Sequence, residues 1–95
     1  MRLSQDESAM IKKTILRHVP EATVYLFGSR TNDLRKGGDI DILILGRRRL
    51  SLMEQSDVRY QFERCFGEQK LDLVSMLETD NDPFKTLILK EAVRL

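Results

Sequence analysis

Near the start of the chain Ile11, Ile15, Leu16 and Val19 fall at helical intervals, and Pro20 ends the pattern. Ser4, with Glu7 three residues on, has the spacing of a reciprocal N-terminal cap, so the pattern predicts a helix over Gln5–His18. Residues 22–27 are almost all β-branched, aromatic or aliphatic and stop at Gly28-Ser29, which predicts a first strand. Over 39–45 the period changes to two: Ile40, Ile42 and Ile44 share one face, and Asp39, Asp41, Leu43 and Leu45 the other. That alternation predicts a second strand with an acidic beginning. Ser51 and Glu54 repeat the cap spacing ahead of a stripe of Val58, Phe62, Cys65 and Phe66 that ends at Gly67, a second long helix. Residues 71–77 read as a third strand. Asp82 then caps a final helix with Pro83 in its first turn and Phe84, Leu87, Ile88 and Ala92 on its buried face. Between the first two strands, 30–38 is polar and ends in Gly37-Gly38, the composition of a short helix or turn. The order α, β, short α, β, α, β, α predicts an α/β (α+β) fold with helices packed on a sheet.

Composition narrows the function more than the fold. Ninety-five residues, 41% of them hydrophobic, suit a single domain over 1–95. Sixteen Lys and Arg against fifteen Asp and Glu leave +1, so no overall field draws the chain to a long nucleic acid or a membrane, and any charge-based function must be local. No apolar run approaches the roughly 20 residues that span a bilayer. A lone cysteine, Cys65, and a polar N-terminus without a signal-like apolar stretch point to a reducing cytoplasm.

The chemistry concentrates between Phe27 and Leu45. Gly28-Ser29 closes a strand, where free backbone N–H groups and the Ser29 hydroxyl suit a phosphate; taken alone, Gly-Ser after a strand more often marks a turn. Asp39 and Asp41 stand two apart on one strand face, about 6 to 7 Å between Cα atoms, within reach of one divalent cation. Hard carboxylate oxygens suit Mg²⁺, whose shell substrate phosphates complete. The plainer reading is a solvated strand end, against which stand the poor strand propensity of Asp and the apolar continuation of that face. Asp72, inside the run Leu71 to Val74, needs a partner, solvent or a metal; a backbone hydrogen bond at a strand edge is the plainer reading. For Gly28-Ser29 to meet Asp39 and Asp41, strands one and two must run antiparallel. For Asp72 to join them, strands two and three must run parallel, bridged by the helical segment 51–66. The expected sheet is mixed, with three strands in the order 1-2-3.

Gly28-Ser29, nine residues, Asp39-Ile40-Asp41 and a later strand Asp72 together resemble the signature of the DNA polymerase β-like nucleotidyltransferase superfamily, and in particular its minimal nucleotidyltransferases (MNT), often paired with HEPN toxins. Thr31, Asn32 and Gly38 stand where many relatives carry a small residue, a Gly and a Ser. The resemblance, which covers about 24–74, implies that Gly28 and Ser29 bind a nucleotide triphosphate, that Asp39 and Asp41 hold two Mg²⁺ ions, and that Asp72 shares one of them and helps activate a hydroxyl. It implies transfer of a nucleoside monophosphate, AMP from ATP, to a hydroxyl acceptor such as a HEPN toxin in an antitoxin role. The reading from another class is a binding module that neutralises a partner toxin by complex formation.

Several residues have competing readings. Arg30 suits a phosphate oxygen or a solvated turn. Arg47, Arg48 and Arg49 read as a solvated loop, with RNA, a phosphate tail or an acidic partner as the alternative. Lys70 reads as a strand-start lysine, although it shares the side of Asp72. His18 reads as a cap on the last helical carbonyls and Cys65 as core. With the catalytic fold taking up most of the chain, the acceptor is expected to be recognised through a partner surface or a homo-oligomer.

Overall fold

A computed structural model of the chain describes residues 3–28 and 39–95. The elements are α1 (Gln5–His18), β1 (Thr23–Phe27), β2 (Ile40–Gly46), α2 (Leu52–Phe66), β3 (Leu71–Leu77), α3 (Pro83–Leu89) and β4 (Val93–Arg94). The short helix or turn expected over 30–38 lies outside the described residues, as do Ser29 and Arg30.

Both long helices begin where their caps predict. The Glu7 N–H donates to Ser4 Oγ at 3.0 Å while the Ser4 N–H donates to Glu7 Oε1 at 2.9 Å; Ser51 and Glu54 repeat the exchange at 3.1 and 2.9 Å. Each pair satisfies N–H groups that the first helical turn leaves without partners. Asp82 accepts from the Phe84 N–H at 2.9 Å and starts α3 with Pro83 in the first turn. Among the described residues no helix is long and apolar enough to cross a membrane.

β2 is the hinge of the architecture. It pairs antiparallel with β1, Phe27 opposite Asp41, and parallel with β3, Asp41 opposite Asp72. Both directions agree with the expectation from site geometry. The alternation along β2 then divides the core: Ile40, Ile42 and Ile44 pack with Ile11, Ile15, Val58 and Phe62 of α1 and α2. Leu43 and Leu45 face the other way, with Met76 of β3 and Ile88 of α3. Helices therefore cover both faces, and each fully buried Ile contributes roughly 1.5 to 3 kcal/mol of apolar transfer.

The strand order needs a correction. The sheet has four strands in the order β3-β2-β1-β4, so the expected 1-2-3 order holds as far as it goes, with β4 added beside β1. Val93 lies opposite Leu26 and Arg94 opposite Tyr25, and the Leu95 N–H donates to Val24 O at 2.9 Å. A two-residue strand is too short to register as alternation; the open edge of β1 supplies its partners. α3 accordingly ends at Leu89, and Ala92 packs on the second core from outside the helix. Of its expected buried face only Ile88 is buried among the helical positions.

Cys65 is a second correction: it is exposed, not core. Val58 and Phe62 reach the sheet, but the end of α2 lies beside the first turns of α1, where Asp6, Ala9, Met10 and Lys13 leave an open groove with Cys65 and Phe66. Phe66 rests its ring on Phe62 at 5.0 Å between centroids.

His18 does not cap α1 either. Its Nε2 lies 2.7 Å from Asp57 Oδ2 and its Nδ1 3.4 Å from Glu54 Oε2, both on α2. Arg48 takes the capping role instead, donating from Nη2 to His18 O at 2.9 Å and forking onto Glu54 at 2.7 and 2.8 Å. Arg49 pairs with Asp80 at 3.1 Å, so two of the three loop arginines are engaged in structure.

The Arg48 guanidinium, followed by the backbone bond from Ser51, holds the Glu54 carboxyl down from 4.5 to about 2. Because the folded value is depressed, its stabilisation is present above pH 4.5 and lost as the pH falls towards 2. Wild type is expected to melt above Glu54→Gln at neutral pH, with the gap closing across that acid window. A gap independent of pH in thermal melts would count against this origin.

Candidate active site

Register and alternation together build the site. β1 ends at Phe27 opposite Asp41, which places Gly28 against the Asp41 side chain; Asp41 in turn lies opposite Asp72 on β3. Asp39 precedes β2 by one residue, on the same side as Asp41. Asp39, Asp41 and Asp72, the acids expected from the sequence, come together at one end of the strands, where β2 and β3 begin. Of the phosphate-binding candidates, Gly28 is at that end, following β1; Ser29 and Arg30 lie outside the described residues.

Gly28 is required by geometry there. Its φ of +76° is in the left-handed region, and a Cβ on it would overlap Asp41 Oδ2. Only a residue without a side chain lets the β1 end approach the carboxylate so closely.

The charges form a frustrated cluster. Burial pushes the Asp41 carboxyl above its ordinary 3.8, and the neighbouring charges of Asp72 and then Asp39, with a hydrogen bond that the protonated Asp41 donates to Asp72, push the same way. Lys70 opposes this in part. Its Nζ lies 3.8 Å from Asp39 Oδ2 and 4.0 Å from Asp72 Oδ1, between the two strand beginnings. The Ile40 N–H donates to Lys70 O at 3.0 Å, which holds the lysine backbone beside β2. Lys70 is the residue that sequence reasoning set aside. The signal was present, since Lys70 and Asp72 are two apart on one strand line, but only the parallel register puts Asp39 within reach of it.

Among the described residues no group of three or more His, Cys, Asp or Glu side chains is arranged as a ready metal site. What exists is a pair, Asp41 and Asp72, with Asp39 joined to it through Lys70. These three carboxylates are the residues that could hold a divalent cation. Their donor set is all oxygen, and their unbalanced negative charge is the kind a hard cation relieves.

A mixed sheet with helices on both faces, a glycine-bounded strand end and acids from two neighbouring strands suit nucleotidyl transfer, in which carboxylates hold a cation at a phosphate chain. The chain belongs to the polymerase β nucleotidyltransferase family, whose model matches residues 10–95. It is 27% identical over 89 residues to a probable protein adenylyltransferase MntA of Haemophilus influenzae, covering 93% of this chain and 77% of that one. Two solved structures share the fold at a TM-score of 0.65 and 20% identity. One is a mutant of the toxin–antitoxin pair MntA–HpeT, matched over 93% of this chain and 69% of that one. The other is a tri-AMPylated Shewanella oneidensis HEPN toxin in complex with an MNT antitoxin, matched over 95% and 69%. The likeness to minimal nucleotidyltransferases read from the motif is thus borne out.

Proposed function

We propose that the protein is a Mg²⁺-dependent nucleotidyltransferase that moves AMP from ATP to a hydroxyl group on a HEPN-type partner protein. The observation that carries this reading is the placement of Asp41 directly opposite Asp72, with side-chain-free Gly28 against it. The MntA relative is named a probable protein adenylyltransferase, and the solved HEPN toxin in complex with an MNT antitoxin is AMPylated, which supports the acceptor class.

In this reading Asp39, Asp41 and Asp72 hold the cations. Bound Mg²⁺ would supply charge neutralisation at the phosphates and favour the deprotonated acceptor hydroxyl. The acceptor oxygen forms a bond to the α-phosphorus of ATP, the bond from that phosphorus to the bridging oxygen breaks, and pyrophosphate leaves. Asp72, half-exposed at the strand beginning, accepts the hydroxyl proton. Gly28 keeps the strand end open for the phosphate chain, and Ser29 and Arg30 supply donors to it.

The test is incubation with labelled ATP, Mg²⁺ and the product of a neighbouring HEPN gene. Label on the HEPN protein is expected, and its absence with a folded, ATP-binding enzyme would overturn the acceptor assignment. Tight complex formation without any labelling would instead favour the binding-module reading.

Lys70 allows a separate prediction. It offsets part of the acids' charge in the absence of metal and would compete with a cation, so Lys70→Met is expected to lower the half-saturating Mg²⁺ concentration severalfold in isothermal titration. With both ion pairs substantially exposed, the loss of stability is expected to be at most about 1 kcal/mol. A raised half-saturation would make Lys70 a helper in cation binding.

A further inference from the structure

Beside the acids lies a hollow that shares Gly28 with the candidate active site. Phe27, Gly28, Phe84, Leu87, Ile88 and Glu91 line a cavity of about 220 Å³ between the end of β1 and α3. Phe84 and Leu87 leave 47% and 64% of their surface to solvent, the part of α3 that the sequence pattern assigned to the core. Among the described residues the wall is therefore aromatic and aliphatic, with one carboxylate, Glu91. Gly28 belongs both to this wall and to the contact with Asp41, so the hollow is continuous with the candidate active site.

From these features we infer that the hollow receives the nucleobase of the bound nucleotide, with Phe84 as its stacking face and Glu91 as the acceptor for an exocyclic amino group. The inference rests on the nucleotidyl-transfer reading above and names the part of the protein that selects the base. A nucleotide whose α-phosphate lies at Asp41 has its base one sugar away, and this apolar surface adjoins Gly28. Bases present apolar π-faces that stack on aromatic side chains whatever their sequence identity. A small set of polar groups in a mostly apolar pocket fixes orientation. A carboxylate accepts from an amino group and repels a carbonyl oxygen, so Glu91 favours adenine over hypoxanthine, which carries a carbonyl in place of the amino group.

Titration calorimetry in Mg²⁺ with ATP, ITP and inorganic tripolyphosphate tests this on wild type, Phe84→Ala and Glu91→Gln. Phe84 is half-exposed and lies outside both core clusters, so its variant is expected to keep the wild-type fold, which circular dichroism checks. Phe84→Ala is expected to bind ATP on the order of tenfold more weakly while binding tripolyphosphate as wild type does. Glu91→Gln is expected to narrow the preference for ATP over ITP, because an amide can donate to the carbonyl. Unchanged ATP affinity in Phe84→Ala, or equal losses for ATP and tripolyphosphate, would overturn the inference and assign the hollow to another segment or partner. Wild type that binds tripolyphosphate as tightly as ATP would overturn it while leaving the transfer chemistry standing. Wild type that binds neither would remove the nucleotidyl-transfer reading itself.

Discussion

Asp41→Asn is expected to reduce nucleotidyl transfer by on the order of a thousandfold or more, equivalent to about 4 kcal/mol, while raising the melting temperature of the metal-free protein at pH 7. The two effects have one cause. Burial and the charges of Asp72 and Asp39 raise the Asp41 carboxyl above 3.8, so its ionisation is less favourable in the folded chain than in the unfolded one. For a carboxyl raised in this way the folded state binds the proton more tightly. Folding stability therefore falls as the pH climbs from 3.8 through the folded value, and the loss persists at neutral pH. Asn removes that charge at nearly the same volume and can donate to the Asp72 carboxylate. The thermal gain should disappear in melts below the unfolded value of 3.8. Mg²⁺ should raise the melting temperature of wild type and leave that of the variant nearly unchanged. A variant that retains transfer activity, or melts lower than wild type at pH 7 without metal, would contradict the role given to Asp41.

Gly28→Ala is the second large effect. The φ of +76° costs an L-residue about 1 to 2 kcal/mol, and its Cβ would overlap the Asp41 carboxylate. Either β1 retreats or the carboxylate turns away from Asp72. Misplacement of that order in a reacting site costs about a hundredfold in rate, so kcat/KM is expected to fall by roughly that factor, with a drop of several degrees in melting temperature. Gly67 separates strain from function. It has a similar φ of +81° but nothing within 4 Å of its notional Cβ, so Gly67→Ala should share the thermal penalty and keep transfer activity. Equal loss of activity in both variants would make the Gly28 effect one of general destabilisation.

Much of this molecule is readable along the chain because its elements announce themselves locally. Ser4 with Glu7 and Ser51 with Glu54 mark helix starts by hydrogen bonds that span only three residues. The period of two in β2 assigns Ile40, Ile42 and Ile44 to one core and Leu43 and Leu45 to the other, as observed. The demand that Gly28-Ser29 and Asp72 both meet Asp39 and Asp41 was enough to predict both strand directions. Where the expectations missed, the missing information was the partner. Cys65 continues an apolar stripe, yet the end of α2 has no sheet beneath it. His18 sits at a helix end as a cap would, yet Asp57, thirty-nine residues on, takes its ring.

The sequence by itself determined where α1, α2 and the first three strands lie and which face of β2 carries the acids, and it marked Gly28, Asp39, Asp41 and Asp72 as candidates for one site. These follow from periodicity, capping and the cost of an acid among apolar neighbours, all of which act over a few residues. Tertiary structure alone decided that Lys70 stands between Asp39 and Asp72, that Asp41 is raised by its neighbours, that β4 closes the edge of β1, and that α3 leaves Phe84 and Leu87 open beside Gly28. Those facts depend on strand register and on what packs opposite each face. A local pattern records that a side of an element is apolar or charged, and it carries no record of the distance to the group that will answer it.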